Sequence, residues 1–227
     1  MRRVEILSLR NQKPNHSFER TAPGSPAHLH KAARGRLSTQ TLGIMNKRSL
    51  LLVASMAILA PTFATAQDVW RSPDGKAIPE TLARKARNGL GVSLVITADP
   101  DWQAKWDTPS HLVPNFNGVG TVSTGGRLSI LTFVVNPKPD ASNNLNVSSH
   151  IEVTRPNGTS SVNTLGLRCL TGRLVGPETN VRLCEAVVQF SADPGDPVGS
   201  WKVKVTVRDE NRATEIPVEG SFKLLSQ

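Results

Sequence analysis

Residues 199–224 read GSWKVKVTVRDENRATEIPVEGSFKL, and this stretch decides the fold class. Apolar and polar side chains alternate on both sides of a polar break at residues 209–212. Because successive strand residues point to opposite faces, each half predicts a strand with one apolar and one polar face. Two such strands form a hairpin, which needs further strands over its apolar face. The apolar positions are Trp201, Val203, Val205, Val207, Ile216, Val218, Phe222 and Leu224.

The chain before this hairpin contains further strand-like segments separated by turn sequences. Residues 127–135 are apolar on both faces and predict a central, buried strand. The sequence RPNG at residues 155–158 predicts a tight hairpin turn, because Asn-Gly tolerates positive φ. Strands and helices do not alternate, so residues 90–227 predict an antiparallel β-sandwich of about seven or eight strands. The other strand candidates are residues 90–97, 147–154, 159–163 and 184–190.

Short helical segments are predicted on the amino-terminal side of the sandwich. In the extension at residues 67–89, residues 78–88 begin with Pro79, end with basic residues and stop at Asn-Gly, a pattern typical of a short helix. The sequence DPD at residues 99–101 is expected to cap a second helical segment. Trp102 and Trp106 follow it, four residues apart and therefore on one helix face.

Residues 45–67 have the three parts of a secretory signal peptide. A basic start at residues 46–48 precedes an apolar run at residues 49–60, and ATA at residues 64–66 provides a cleavage site. The run of 12 residues is shorter than the roughly 20 that cross a bilayer. We therefore expect cleavage between Ala66 and Gln67, a mature product without a transmembrane segment, and a periplasmic or secreted location.

Residues 1–44 precede this signal peptide and show no sustained apolar period. They are rich in Arg, His, Ser and Pro, so we expect them to be disordered and to lack a packed core. If translation begins at Met45, this upstream segment is not made. The alternative is a long basic leader that is removed with the signal peptide.

The formal net charge of +9 by itself favours nucleic acid as a partner. The distribution of the charge along the chain does not support this interpretation. Residues 1–66 contain ten Lys and Arg residues and two Glu residues, whereas residues 67–227 carry a net charge of +1. A phosphate-binding surface needs basic charge clustered on the folded domain. The candidate cluster of Arg84, Lys85 and Arg87 is typical of a solvated helix end, so we expect no nucleic-acid partner.

Cys169 and Cys184 are the two cysteines of the chain, and both lie in the expected mature product. An exported compartment permits disulfides, so this pair predicts one bridge. Closing a loop of about 15 residues stabilises a domain by roughly 3 kcal/mol in the chain-entropy model.

The carboxy-terminal half resembles a known class of exported domain. The sequence PVGSW at residues 197–201, followed by alternating valines and Asp209, resembles the closing strands of bacterial immunoglobulin-like modules. Residues 99–224 resemble short exported bacterial immunoglobulin-like β-sandwich proteins of unknown function, which implies the fold and export but no activity. The chain has no tyrosine and no Trp between its cysteines, so it is not an antibody-type domain. The wider resemblance rests on Trp102, Lys105, Trp106, Phe116, Asn136, Pro137 and the sequence TRPNG at residues 154–158.

Residue types with catalytic chemistry are sparse in the expected mature product. Its histidines, His111 and His150, lack the clustered ligands that zinc requires, and no methionine follows Met56. No Gly-x-Ser-x-Gly sequence marks a nucleophile. The acidic residues at 99–101 and 193–196 lack the spacing of a calcium loop and are typical of caps and turns. We therefore expect no catalytic residue, no metal and no cofactor.

Two classes of function remain. The first is a non-catalytic exported module that binds a protein or a surface polymer. The second is a small periplasmic hydrolase or metal-dependent enzyme that assembles His111, His150 and a carboxylate from distant positions. Trp102 and Trp106 are the partner-binding candidates: either both rings plug one end of the sandwich, or one ring stays exposed and anchors a partner. We expect Trp106 to be the more buried ring and Trp102 to be the contact.

Overall fold

The computed structural model describes residues 4–8, 70–71, 75–108 and 114–226, and all of them belong to one compact unit of the chain. The predicted signal peptide, its cleavage site between Ala66 and Gln67, and His111 lie outside the described residues. In chain order the elements are β1 Val4–Ser8, β2 Arg84–Arg87, β3 Leu90–Thr97, α1 Trp102–Trp106, β4 Thr121–Ser123, β5 Arg127–Val135, β6 Asn144–Thr154, β7 Ser160–Arg173, β8 Arg182–Leu183, β9 Ala186–Ser191, β10 Gly199–Asp209 and β11 Thr214–Leu225.

The strands form two sheets. The strand order is β1-β9-β5-β3-β2 in the first sheet, where β8 also pairs with β5, and β4-β11-β10-β6-β7 in the second. Neighbouring strands are antiparallel except β4 and β11, which run parallel. The prediction of a mainly-β chain is confirmed. The described residues form eleven strands rather than seven or eight, because β1, β2, β4 and β8 are too short to show an alternating pattern.

The apolar residues of the terminal hairpin, β10 and β11, lie on the inner face of the second sheet, as their alternation predicts. Trp201 and Phe222 on this hairpin pack against Phe190 of β9, with ring centroids 4.9 and 4.7 Å from that of Phe190. These contacts join the two sheets across one shared core, which is the layout expected of a β-sandwich. The first sheet contributes Leu90, Val92, Leu94, Ile96, Leu128, Ile130, Val134 and Val188 to this core.

The predicted disulfide is confirmed. Cys169 of β7 is bonded to Cys184, which precedes β9, and their Cα atoms are 4.2 Å apart. Both side chains are buried. Because β7 belongs to the second sheet and β9 to the first, the bridge ties the two sheets together.

The helix predicted at residues 78–88 is wrong. Arg84–Arg87 is instead a strand, β2, which pairs with β3 through the turn at Asn88 and Gly89. Both turn residues have positive φ, 51° and 80°, as a two-residue hairpin turn requires. An Asn-Gly sequence is compatible with both the end of a helix and a hairpin turn. Here it forms a hairpin turn because β2 pairs with β3. The basic residues of β2 therefore lie on a strand and not at a helix end.

The first residues of the chain also differ from expectation. Val4–Ser8 lies in the segment that we expected to be disordered, yet it forms β1 and pairs with β9 along its whole length. The alternation in such a short segment gives little signal by itself, so the pairing depends on the apolar strand beside it. Among the residues that the structure describes, no helix is long and apolar enough to cross a membrane.

Candidate functional site: a bulged groove on the second sheet

Trp102 and Trp106 lie on α1, which covers the outer face of the first sheet. Each side chain is 4% exposed, and the Trp106 ring centroid is 5.5 Å from that of Phe133 in β5. Neither ring offers the exposed surface that a partner anchor requires, and Trp106 is no more buried than Trp102. The outer faces of β5 and β9 are apolar, like their inner faces. Both rings therefore belong to a second, smaller core on the outer side of the first sheet. The other buried members are Leu131, Phe133, Leu183 and Val187.

Asp99 fixes the segment that carries the two tryptophans. Its carboxylate accepts hydrogen bonds from the Asn117 backbone N–H and side-chain amide, both at 3.0 Å, and pairs with Lys105 Nζ at 2.9 Å. These bonds, the Asn117 backbone bond first, lower the pKa of Asp99 from 3.8 to about 2. The expected capping role is not observed, because the cap residue Asp101 makes no side-chain capping bond. Asp99 instead joins the helix to the strand-side loop at Asn117.

The outer face of the second sheet is different, because it is polar and carries an open groove of about 490 Å³. Polar residues of β6, β10 and β11 line it, alternating with the side chains that point into the core. Lys204 Nζ pairs with Glu152 Oε2 at 3.3 Å across two neighbouring strands. Arg208 Nε pairs with Glu210 at 2.9 Å, a hydrogen bond that raises the pKa of Arg208, and Arg208 Nη1 lies 3.8 Å from Glu215.

His150 lies on the wall of this groove. Its Nε2 lies 2.7 Å from Asn163 Oδ1 on β7, and because an amide oxygen can only accept, the ring nitrogen donates. Ser148, two residues earlier on the same face, donates its hydroxyl hydrogen to Glu210 Oε1 at 3.2 Å. The histidine is therefore held by an amide, and the nearby hydroxyl is held by a carboxylate. This is not the arrangement of a nucleophile hydrogen-bonded to its general base.

A bulge in β7 places an apolar side chain at the groove. Leu165 and Gly166 of β7 together stand opposite the single residue His150 of β6. Gly166 has φ 66°, a left-handed conformation that glycine adopts without steric cost. The Leu165 side chain is 73% exposed. Bulges re-aim side chains and are frequent beside functional sites, so this position is a candidate contact for a ligand.

The sequence predicts β7 only over residues 159–163, which leaves out Leu165 and Gly166. The strand continues to Arg173. A signal was present, since the sequence TLGL at residues 164–167 contains a glycine inside a strand-like pattern, which is typical of a bulge. The pairing partner of that glycine could not be read from the sequence.

The metal-ligating residue types are not clustered in the described part of the chain. No group of three or more His, Cys, Asp or Glu side chains within it is arranged to hold a metal ion. In the acidic loop before β10, Asp196 Oδ2 accepts a hydrogen bond from the Asp193 backbone N–H at 3.0 Å, which is a turn contact.

No protein-family model matches the chain, and no curated protein matches it. Distant similarity to solved structures is found. The CARDB domain of a Pyrococcus furiosus protein is 14% identical with a TM-score of 0.33, covering 65% of this chain and 99% of that one. A family 123 glycoside hydrolase from Clostridium perfringens is 11% identical with a TM-score of 0.31, and the match covers 60% of this chain and only 27% of the hydrolase. A FixG-related protein from Vibrio parahaemolyticus is 11% identical with a TM-score of 0.29, covering 61% of this chain and 98% of that one. Such low scores carry no argument about what the chain does.

Proposed function

We propose that this chain is an exported, non-catalytic binding module with an immunoglobulin-like β-sandwich, and that it contacts its ligand through the bulged groove of the second sheet. The observation that carries the proposal is the bulge itself. It exposes Leu165 beside hydroxyl groups and paired charges, next to His150. A small apolar contact surrounded by polar groups is the composition of a recognition surface.

Export to the periplasm or beyond is supported by two independent features. The residues from Met45 to Ala66 have the basic start, apolar run and cleavage site of a signal peptide. The Cys169–Cys184 bridge is compatible with an oxidising compartment, where disulfides form and persist. The resemblance to short exported bacterial immunoglobulin-like proteins agrees with both.

The charges of the groove indicate which ligands fit it. Two cations, Lys204 and Arg208, and two carboxylates, Glu152 and Glu215, are among its lining residues. A polyanion such as nucleic acid needs an excess of positive charge, which this surface lacks. A partner protein or a surface polymer that offers hydrogen-bonding groups and one apolar contact is the better fit.

A hydrolase remains the alternative class, but the contacts of the described residues do not support it. His150 is hydrogen-bonded to the amide of Asn163 and Ser148 to the carboxylate of Glu210. A nucleophile and its base need to be hydrogen-bonded to one another and oriented by a third group. The binding proposal needs neither a catalytic residue nor a cofactor.

A pull-down with matched variants tests the proposal. The exported protein, Leu165→Asp and Leu82→Asp are each used as bait against the exported fraction of the native host. Leu82 is a suitable control because it is 67% exposed, close to the 73% of Leu165, and lies before β2 of the first sheet. We expect Leu165→Asp to lose a partner that Leu82→Asp retains. If both variants retain every partner, the groove is not the binding site.

A further inference from the structure

The edges of the two sheets differ in how they are protected against pairing with another strand. β2 carries Arg84, Lys85 and Arg87 among its four residues. In the second sheet, β4 has only three residues, and the pairing of β7 with β6 is irregular at three places. Charge, short length and bulges are the features by which natural edge strands resist unwanted pairing.

β9, next to the opposite edge of the first sheet, has none of these features. It reads AVVQFS, without charge, proline or glycine. Val187 and Val188 point to opposite faces of the strand and both are 0% exposed. If β9 were the edge, its unpaired backbone groups would lie between two apolar faces, which is a template for another strand.

β1 covers this edge in the full chain. It is antiparallel to β9, and the pairing runs from Val4 opposite Phe190 to Ser8 opposite Ala186. Ile6 stands opposite Val188 and packs against the main core. No strand pairs with β1 on its outer side within the described residues. The site is therefore filled by one extended segment that directs an apolar side chain inward.

We propose that the β9 edge is a strand-acceptor site that β1 fills in the uncleaved chain and that an extended segment of a partner protein fills after export. This inference rests on the proposed export, because β1 belongs to residues 1–66, which cleavage would remove. The partner segment adds a strand antiparallel to β9, and backbone hydrogen bonds provide most of the affinity. An apolar side chain opposite Val188 provides specificity, as Ile6 does in cis.

A single extended strand is sufficient to fill the site. The five-residue strand β1 fills it, and among the residues that the structure describes no strand pairs with β1 on its outer side. The site also lies on the sheet opposite the bulged groove, so strand addition at β9 leaves the Leu165 contact accessible. The exported protein can then hold two partners, or two parts of one partner, at once.

The experiment uses a fluorescent synthetic peptide with the sequence of residues 1–10 and a control peptide with Ile6→Asn. The full reading frame is expressed in the native host, and mass spectrometry of the product first establishes whether residues 1–66 are absent. Peptide binding is then measured by fluorescence anisotropy with this product, with purified full-length chain, and with full-length Ile6→Asn. The last variant frees the edge without altering any residue of β9.

We expect saturable binding of the peptide to the exported product and to full-length Ile6→Asn. Binding to the unaltered full-length chain should be at least about tenfold weaker, because β1 competes in cis. The Ile6→Asn peptide should also bind at least about tenfold weaker, since it loses the partly buried isoleucine that packs against the core. A product that retains residues 1–66 would refute export, and full-length Ile6→Asn would still test the edge.

Three results would overturn the acceptor site. The first is absence of peptide binding to both the exported product and full-length Ile6→Asn. The second is equal affinity for the two peptides, which would indicate nonspecific adsorption. The third is an exported product that sediments as a dimer and excludes the peptide, which would assign the β9 edge to a second copy of the chain.

Discussion

The two sheets share one core but differ on their outer faces. On the first sheet the outer face is apolar, and α1 covers it with Trp102 and Trp106. On the second sheet the outer face carries charged and hydroxyl side chains. In the described structure, no element with buried apolar residues packs over its groove. The two faces therefore differ in whether their side chains need to be protected from water.

This difference changes the interpretation of the aromatic pair. Large aromatic side chains are frequent in binding hot spots. In this structure the two tryptophans instead cover the apolar outer face of the first sheet. The polar face needs no cover and can remain accessible. The candidate contact residues on that face are His150 and Leu165, which the bulge in β7 places next to each other. The following substitutions test whether the two faces differ in this way.

The largest effect is expected for Trp106→Ala. This change removes a buried ring from the outer core of the first sheet and should cost about 3–5 kcal/mol of unfolding free energy. Lys202→Ala on the exposed face of β10 is the control, and should stay within about 0.5 kcal/mol of the unaltered protein. Urea unfolding measures both. Equal, small losses for the two variants would mean that α1 is not part of the core.

A smaller effect is expected for Gly166→Ala in the bulge. An added Cβ meets nothing within 4 Å, so the cost arises only from the φ of 66°. A left-handed conformation costs an L-residue about 1–2 kcal/mol.

Gly120→Ala is the matched control, since it also has open space but no positive φ. Its cost should be below about 0.5 kcal/mol. Thermal unfolding of the two variants separates the backbone effect from any effect of the methyl group. If Gly166→Ala is as stable as Gly120→Ala, the bulge adopts another conformation in solution.

A pH-dependent effect is expected at Asp99. The folded protein lowers the pKa of this carboxyl from 3.8 to about 2. A lowered pKa stabilises the fold above pH 3.8, and the contribution is lost as the pH falls through about 2. Tryptophan fluorescence between pH 5 and 2 should therefore show release of the α1 segment.

Asp99→Asn should remove this pH dependence, because the amide does not ionise. Asp101→Asn is the control: the Asp101 carboxylate is also near Lys105, at 3.4 Å, but its side chain is 58% exposed. An unaltered titration in Asp99→Asn would assign the acid transition to another carboxyl group.

The sequence predicts the local parts of this structure well. The alternation around Trp201 and Phe222 is contained in one hairpin, so period and turn suffice to define both strands. The disulfide follows from having two cysteines and an expected export route. The sequence is not sufficient where pairing with a distant strand determines the local structure. Asn88-Gly89 forms a hairpin turn because β2 pairs with β3. Val4–Ser8 is a strand because it pairs with β9.

The candidate site shows the same limit. The alternation of residues 147–154 predicts that His150 lies on the polar face of its strand, but the sequence does not show which residues of β7 lie beside it. Whether Leu165 faces solvent depends on the register between β6 and β7, which a single extra residue at Gly166 changes. The spacing of Trp102 and Trp106 predicts that the two rings share one helix face. The surface that this face covers depends on the packing of the first sheet.

Site-specific photocrosslinking in the native host tests whether the bulged groove is the ligand-contact surface. A photoreactive amino acid replaces Leu165 in one strain and Leu82 in another, since both side chains are exposed to a similar extent, 73% and 67%. Intact cells are irradiated, and the adducts of the protein are compared by mass. We expect a discrete adduct from position 165 that is absent from position 82. The same adduct from both positions, or from position 82 alone, would contradict it.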